Sequence, residues 1–348
     1  MLKTRLFRQI RRISFQYWLI YFILIVFVII VNIAIYTSYI PIDQPCNCRQ
    51  CEKKYSIKYF DVDELTFVSV PRPLKKDKQK RTMKLALSSW LACSPKSRVL
   101  LFIERDEFDP TGKIPDEIDN IFGKDRVIYA GGIRCDHSGV PYIHEWFIQG
   151  IKQSPSKYIT FINSDILLSE NWLKRVKQIF NIMDDKPTVL IGQRIDFDLK
   201  GEKFQKLIFS QDKLLNSIDN MVQESKHSDH SPFGIDTFTF RADKPPFDPE
   251  MIPPFMMGRY NWDNWLIGWF NRICDTVTFN LDPPIYHINH NRHSFNVNDS
   301  KVAINHHLKQ ANMNYFGSNF DTKWEVKNGF LVRRNSNEKI ELKPLSEE

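Results

Sequence analysis

Short apolar runs that alternate with helical patterns are the feature that most limits the folds open to this chain. They occur in the order strand 65–70 (LTFVSV), helix 83–92, strand 99–104 (VLLFIE), strand 127–129, helix 142–152, strand 157–163 (KYITFIN), helix 170–183 and strand 188–194 (TVLIGQR). Strands that are apolar throughout are buried on both faces, which is typical of parallel sheets covered by helices. The sequence therefore predicts an α/β sandwich with a mostly parallel central sheet.

The N-terminal part of the chain has a different character. Residues 18–36 (WLIYFILIVFVIIVNIAIY) carry no charge, and a helix of this length would span about 28 Å, close to the hydrocarbon thickness of a bilayer. All charged residues that precede this segment are basic, which predicts a cytosolic N-terminus. A cleavable signal peptide is the alternative, but its apolar region is usually shorter. We therefore predict a single-pass type II membrane protein that faces the lumen of the Golgi or endoplasmic reticulum.

The predicted organisation follows from these two patterns. It comprises a cytosolic tail (1–16), a transmembrane signal anchor (17–36), a stem (37–62), one folded domain (63–334) and a charged tail (335–348). The formal net charge is +7, but the 48 Lys and Arg residues are dispersed among 41 acidic residues. We therefore expect no nucleic-acid partner.

The first candidate site lies in residues 158–172 (YITFINSDILLSENW), where a buried strand ends in Asn163-Ser164-Asp165. Ligands of open parallel sheets bind beyond the carboxyl ends of the strands. Carboxylate oxygens suit the hard divalent cations that accompany phosphate groups. We predict that Asp165 is a metal ligand; the alternative is that it only caps a turn.

The second candidate site lies in residues 253–272 (PPFMMGRYNWDNWLIGWFNR), where Trp262 and Trp265 flank Asp263. Indole rings can stack on the C–H faces of a sugar, while neighbouring polar groups bind its hydroxyls. A carboxylate in such surroundings can act as a general base. The alternative is an amphipathic helix with core tryptophans and Asp263 as an N-terminal cap.

Three further segments carry polar residues that could belong to a site. Residues 285–295 (IYHINHNRHSF) contain His287, His290 and His293, of which we expect only one to be a metal ligand. Residues 194–198 (RIDFD) follow a strand, and Asp236 lies in an apolar run where a bare carboxylate would need a partner. For both acidic segments, an ordinary turn or strand-edge acid is the alternative.

Taken in order, several segments resemble the GT-A class of nucleotide-diphospho-sugar transferases, over residues 65–295. They are FVSVPRP, SSWLACSP, VLLFIE, YITFINSDILL, FGIDTFTF, PPFMMGRYNWDNW and YHINHNRH. The resemblance implies a Rossmann-like α/β/α sandwich that binds a nucleotide-sugar and Mn²⁺ or Mg²⁺. In that class a DxD-type motif holds the metal and the diphosphate, and Asn163-Ser164-Asp165 matches it with Asn in place of the first acid.

The resemblance also implies roles for individual residues. The donor-binding residues would be Pro71, Arg72, Asn163, Ser164 and Asp165. Asp263 resembles the catalytic base of inverting members, and His290, with His287 as second choice, would join Asp165 as a metal ligand. The acceptor or sugar-binding residues would be Asp236, Trp262 and Trp265.

The predicted function is metal-dependent transfer of a sugar from a nucleotide-sugar donor to a hydroxyl of a glycan, protein or lipid acceptor in the secretory lumen. Two alternatives remain open. A catalytically inactive, membrane-tethered carbohydrate-binding or scaffold protein is favoured by Asn163. A metal-dependent nucleotidyl or phosphoryl transferase is disfavoured because the sequence has no GxxxxGK[ST] loop.

Overall fold

The computed structural model describes residues 65–72, 74, 76–103, 113–183, 186–199, 213–289 and 299–344. The predicted cytosolic tail, anchor and stem lie outside the described residues, as does His290. No helix in the described part of the chain is long and apolar enough to span a bilayer. The predicted location, a single-pass type II membrane protein that faces the lumen of the Golgi or endoplasmic reticulum, is corrected accordingly, because no described helix supports it.

The described residues form strands and helices that alternate along much of the chain. The strands are β1 (Thr66–Ser69), β2 (Arg98–Phe102), β3 (Val127–Ala130), β4 (Tyr158–Ile162), β5 (Ile166–Leu168), β6 (Thr188–Ile191), β7 (Arg194–Phe197), β8 (His227–Asp229), β9 (Thr237–Arg241), β10 (Asp275–Thr278), β11 (Ile285–Ile288), β12 (Trp324–Lys327), β13 (Phe330–Arg333) and β14 (Lys339–Glu341). The helices are α1 (Asp77–Ala92), α2 (Ile114–Phe122), α3 (Ile143–Gln153), α4 (Trp172–Met183), α5 (Leu214–Glu224), α6 (Trp262–Ile273) and α7 (Ser300–Ala311).

Ten strands form one large sheet in the order β14-β13-β12-β10-β6-β9-β4-β1-β2-β3. Strands β4, β1, β2 and β3 are parallel neighbours, and so are β6, β10 and β12. The antiparallel strand β9 pairs with β4 and β6 and so joins the two parallel groups. The predicted mixed α/β fold with a large, mostly parallel sheet is therefore confirmed.

Each face of this sheet carries its own hydrophobic core, because successive strand side chains point to opposite faces. Phe67 of β1 stacks on Trp90 of α1 with ring centroids 5.8 Å apart, in a core that also includes residues of α2, α4 and α5. Phe161 of β4 stacks on Phe147 of α3 at 4.2 Å, in a core that includes α6. The helices thus cover both faces, as the continuous apolar runs predict.

Four strands form a second, smaller sheet in the order β5-β11-β7-β8. Strand β5 begins directly after Asp165, four residues beyond the end of β4, and β7 begins three residues beyond the end of β6. Both strands therefore enter the small sheet from the carboxyl ends of large-sheet strands. The two sheets meet where Asp165 and Arg194 lie, which places the candidate site at this junction.

The domain continues past its predicted end at residue 334. Lys339–Glu341 form β14, which pairs antiparallel with β13, and the Gln178 side chain of α4 donates to the backbone oxygens of Leu342 and Lys343. The segment predicted as a charged tail is thus partly an edge strand of the large sheet.

Candidate functional site

Asp165 lies just beyond the carboxyl end of β4, as the sequence predicts. The end of β4 is tied to β1 by the Ser69 hydroxyl, which donates to the Ile162 backbone oxygen at 2.7 Å. The segment after β1 then brings the Arg72 guanidinium to 3.4 Å from Asp165 Oδ2. Asp165 is buried, whereas the Arg72 side chain is 62% exposed. The exposed guanidinium of Arg72 can bind an anionic ligand, whereas the buried carboxylate of Asp165 can bind a cation.

His287 of β11 faces the same carboxylate. Its Nε2 lies 3.7 Å from Asp165 Oδ2, and its Nδ1 lies 2.9 Å from Asp196 Oδ1. Burial favours the neutral imidazole, but the carboxylates of Asp165 and Asp196 outweigh it and raise the pKa of His287. Asp196 thereby orients the ring, with Nε2 directed towards Asp165, which is the arrangement typical of a metal-binding histidine with a carboxylate partner.

Asp196 is the acceptor at the centre of a buried hydrogen-bond network. His230 Nδ1 lies 2.6 Å from Asp196 Oδ2, and Arg194 Nε donates to Asp196 Oδ1 at 3.0 Å. Burial opposes ionisation of this carboxyl, but the hydrogen bonds from His230 and His287 and the charge of Arg194 hold its pKa well below the usual range. Asp196 is therefore a carboxylate that fixes two histidines.

Asp236 and Asn163 form the other half of this network. Arg194 Nη1 contacts both Asp236 oxygens, at 2.9 and 2.7 Å, and the Asn163 amide donates to Asp236 Oδ1 at 2.7 Å. Asn163, predicted as a donor-binding residue, thus holds Asp236 in place. Asp236, predicted to bind the acceptor sugar, is buried and ion-paired. Ser164, the third residue of the predicted motif, is half-buried in the turn between β4 and β5.

Asp263 lies in the first turn of α6, on the side of the network that contains Asp236. The backbone N–H groups of Asn264, Asp263 and Ile235 face its carboxylate. Burial is the main cause that raises the pKa of Asp263 to about 7, with a further contribution from the charge of Asp236, and the backbone N–H groups oppose this rise. A carboxyl with a pKa near neutrality can accept a proton at the pH of most cells.

The predicted sugar-stacking role of Trp262 and Trp265 needs correction. Both indoles are buried in the core between α6 and the sheet. Trp262 packs against Trp146 of α3, and Trp265 Nε1 donates to the Asn312 backbone oxygen at 2.8 Å. Both indoles thus lie in the core, where the amphipathic-helix alternative places them.

The predicted site residues therefore divide into three groups. The structure brings Arg72, Asn163, Asp165, Asp236 and Asp263 to one region, with Pro71 buried beside Arg72. Trp262 and Trp265 belong to the core, and the preferred metal ligand, His290, lies outside the described residues. His287, predicted as the second choice of metal ligand, lies beside Asp165.

Three members of the network were not predicted as site residues: Arg194, Asp196 and His230. The position of RIDFD after a strand is the one signal that pointed to Arg194 and Asp196. His230 lies in a polar, turn-like segment with no such signal.

Comparisons with known proteins add little. No protein-family model and no curated protein matches the chain. Partial likeness exists to solved structures of S. aureus TarS. The 1–349 fragment matches over 40% of this chain and 37% of its own, with 16% identity and a TM-score of 0.28. Its complex with UDP-GlcNAc matches over 40% and 36%, with 13% identity and a TM-score of 0.27. A further TarS structure matches over 40% and 22%, with 17% identity and a TM-score of 0.29.

The chain therefore spans well under half the length of these matched structures. TM-scores this low support no conclusion about a shared function.

Proposed function

We propose that this protein is a metal-dependent glycosyltransferase of the GT-A type, which moves a sugar from a nucleotide-sugar donor to an acceptor hydroxyl. The observation that carries the proposal is the juxtaposition of two acidic groups in different surroundings at the carboxyl edge of the sheet. Asp165 lies beside His287 and Arg72, whereas Asp263 has a pKa of about 7. The buried Arg194–Asp236 pair lies between them.

The donor side of the site comprises Asp165, His287 and Arg72. Oδ2 of Asp165 and Nε2 of His287 are 3.7 Å apart, so these two atoms would together hold one Mn²⁺ or Mg²⁺ ion. Within the described residues, no three His, Cys, Asp or Glu side chains are grouped closely enough to hold a metal ion by themselves. Such an ion would therefore share its coordination with donor phosphates and water, as Mg²⁺ commonly does.

The bound cation would supply positive charge for the diphosphate that leaves the sugar. Arg72 adds a mobile cation on the same side, since its side chain is largely exposed and can turn from Asp165 to a phosphate oxygen. The cation held by Asp165 and His287, together with Arg72, would thus stabilise the charge that develops on the leaving group.

The acceptor side of the site contains Asp263. A carboxylate with a pKa near 7 takes the proton from an acceptor hydroxyl while that oxygen attacks the anomeric carbon. The C–O bond to the diphosphate breaks as the new glycosidic bond forms, so a single displacement of this kind inverts the anomeric configuration. The backbone N–H groups that face Asp263 hold the carboxylate in one orientation for this step.

The two alternative functions are less compatible with these contacts. The Asn in place of the first acid suggested an inactive binding protein, yet the Asn163 amide has its own partner, Asp236. A two-metal phosphoryl or nucleotidyl transferase would need a second carboxylate free for metal binding. Asp196 and Asp236 are instead engaged by Arg194 and, for Asp196, by two histidines.

The test is donor binding by the full chain. We expect Mn²⁺ together with one member of a panel of UDP- and GDP-sugars to raise the melting temperature of the wild type. Asp165→Ala and His287→Ala should each raise the donor concentration needed for the same stabilisation at least roughly tenfold. Loss of a metal-ligating side chain typically lowers affinity by that factor.

The matched control is Asp125→Ala, an exposed aspartate in the turn before β3, at the amino-terminal edge of the sheet. It should behave as the wild type does. The proposal is wrong if no donor stabilises the wild type, or if Asp165→Ala binds the donor as well as the control variant.

A further inference from the structure

Two half-exposed phenylalanines form a contact next to the candidate base. Phe233 is 50% exposed and Phe316 is 49% exposed, and their ring centroids are 5.6 Å apart at an interplanar angle of 40°. Complete burial of a phenylalanine typically stabilises a fold by about 1.5–3 kcal/mol. Two rings that touch each other and still leave half of their surface in water therefore differ from single, scattered surface apolar residues.

The backbone carries this pair to a defined position beside Asp263. The next residue, Asn264, donates from Nδ2 to the backbone oxygens of Phe233 and Gly317, at 2.9 Å in each case. Gly317 N in turn donates to the Asn264 backbone oxygen at 2.9 Å. A single buried side chain in the first turn of α6 thus holds both segments that present the phenyl rings.

The loop of residues 230–236 links the same pair to the charged network. Its first residue, His230, contacts Asp196, and its last residue, Asp236, contacts Arg194, so that Phe233 lies between two ends that are both fixed in the site. Asn319 strengthens the link, because its backbone N and its side chain both donate to the Pro232 oxygen. The segment that carries Phe233 is therefore anchored to the site at both ends.

The packing of Phe316 on α6 depends on a glycine. A Cβ at Gly268 would lie 2.4 Å from the backbone N of Phe316. Only a residue without a side chain lets the 316–317 segment lie this close to the helix that carries Asp263. Lys309 of α7 lies over one face of the same ring, with Nζ 4.5 Å from the centroid, and brings hydrogen-bond donors to the pair.

We propose that Phe233 and Phe316 are the platform on which a sugar ring of a glycan acceptor stacks, with Lys309 available to its hydroxyls. This inference rests on the proposed function and narrows the acceptor to a carbohydrate. A pyranose has apolar C–H faces and polar edges, which match a phenyl surface bordered by an ammonium group. The buried Trp262 and Trp265 cannot offer such a surface.

The experiment is saturation-transfer difference NMR on the full chain. The probes are methyl and octyl glycosides of glucose, galactose, mannose and N-acetylglucosamine, with the octyl compounds kept below their micellar concentration. We expect the ring protons of at least one sugar to receive saturation in the wild type. The double variant Phe233→Ala/Phe316→Ala should bind that sugar roughly tenfold more weakly, because the modest factors lost with the two stacking contacts multiply.

Two further variants separate binding from folding. Phe233→Trp retains a stacking surface and should keep the saturation of the sugar ring. Ile273→Ala removes an exposed apolar side chain at the opposite end of α6 and should bind as the wild type does.

The inference is overturned if no methyl glycoside receives saturation in the wild type, or if the double variant binds as well as Ile273→Ala. Saturation confined to the alkyl protons of the octyl glycosides would also overturn it, in favour of a lipid acceptor. Donor-dependent stabilisation of the wild type is measured separately, so that any of these outcomes can be told apart from failure of the proposed function itself.

Discussion

At the scale of single residues, two aspartates in one region have opposite electrostatic surroundings. Asp196 accepts hydrogen bonds from two histidines beside Arg194, so its pKa is lowered. Burial and the nearby charge of Asp236 raise the pKa of the half-buried Asp263 to about 7. Groups whose pKa values are driven apart in this way are the usual basis for dividing acid, base and charge-stabilising roles. Asp196 is thus suited to orient its neighbours, and Asp263 to exchange a proton.

Asp263→Asn should abolish transfer and change the pH dependence of stability. Loss of a general base typically lowers the rate by about 10²–10⁴-fold. Because the folded state raises the pKa of Asp263 above its usual value of 3.8, the wild type loses stability as the pH rises from about 4 through about 7. The asparagine variant avoids this cost. At pH 8 its free energy of unfolding should therefore exceed that of the wild type by on the order of 3 kcal/mol, and its melting temperature should be higher. The excess should vanish near pH 4.

Calorimetry at several pH values, together with rate measurements, checks both expectations. In the wild type the transfer rate should rise with pH and level off above about 7. Asp275→Asn is the matched control, since Asp275 is also half-buried and follows the opposite end of the same helix. Equal stability of wild type and Asp263→Asn at pH 8 would show that the surroundings of Asp263 do not raise its pKa.

At the scale of helices and strands, sequence patterns predicted an element correctly where the residues of that one segment determine its structure. The apolar runs at 65–70, 99–104 and 157–163 are strands of the parallel sheet, because their apolar residues are buried on both faces. The same reasoning located Asp165, since the end of a buried strand is visible in the sequence. It missed β9, whose insertion between two parallel groups depends on pairing over long distances.

The candidate site was harder to predict for the same physical reason. His287 and Asp196 are 91 positions apart and meet only because β11 lies parallel to β7 in one register. No local pattern encodes that register. Trp262 and Trp265 were misassigned because apolar spacing on a helix is the same whether the rings contact a core or a ligand. Phe233 and Phe316 were missed because exposure of an isolated loop phenylalanine cannot be read from its neighbours.

Gly150→Ala should destabilise the protein by up to about 2 kcal/mol, although alanine is the better helix former by about 1 kcal/mol. A Cβ at this position of α3 would lie 2.5 Å from Phe161 and 2.9 Å from Val68. The Phe161 ring cannot yield easily, since it is stacked on Phe147 and Phe240. Overpacking of this kind typically costs about 1–3 kcal/mol.

Urea denaturation of Gly150→Ala measures this change. Lys152→Ala, an exposed substitution two residues later in the same helix, should change the free energy of unfolding by less than about 0.5 kcal/mol. A Gly150→Ala variant more stable than the wild type would mean that helix propensity outweighs the close approach of α3 to the sheet.

At the scale of the whole molecule, the buried ion pair between Arg194 and Asp236 joins the two sheets. Arg194 begins β7 of the small sheet, and Asp236 directly precedes β9 of the large sheet. The side chains are only 12% and 8% exposed, and Arg194 also binds Asp196. The same contacts that position the site therefore hold the small sheet against the large one.

Arg194→Met should destabilise the fold by about 3 kcal/mol or more. Breaking a buried ion pair from one side leaves a carboxylate in a poorly solvated position, which typically costs about 3–5 kcal/mol. Arg333→Met is the matched control, because it removes an ion pair with Glu338 in which both side chains are about half exposed. Pairs of that kind contribute at most about 1 kcal/mol.

The comparison is made by urea denaturation, and equal losses in the two variants would show that Arg194 does not join the sheets. A large loss for Arg194→Met alone, regained in part by Asp236→Asn in the same chain, would show that the stranded Asp236 carboxylate is its cause, since the second substitution removes the uncompensated charge.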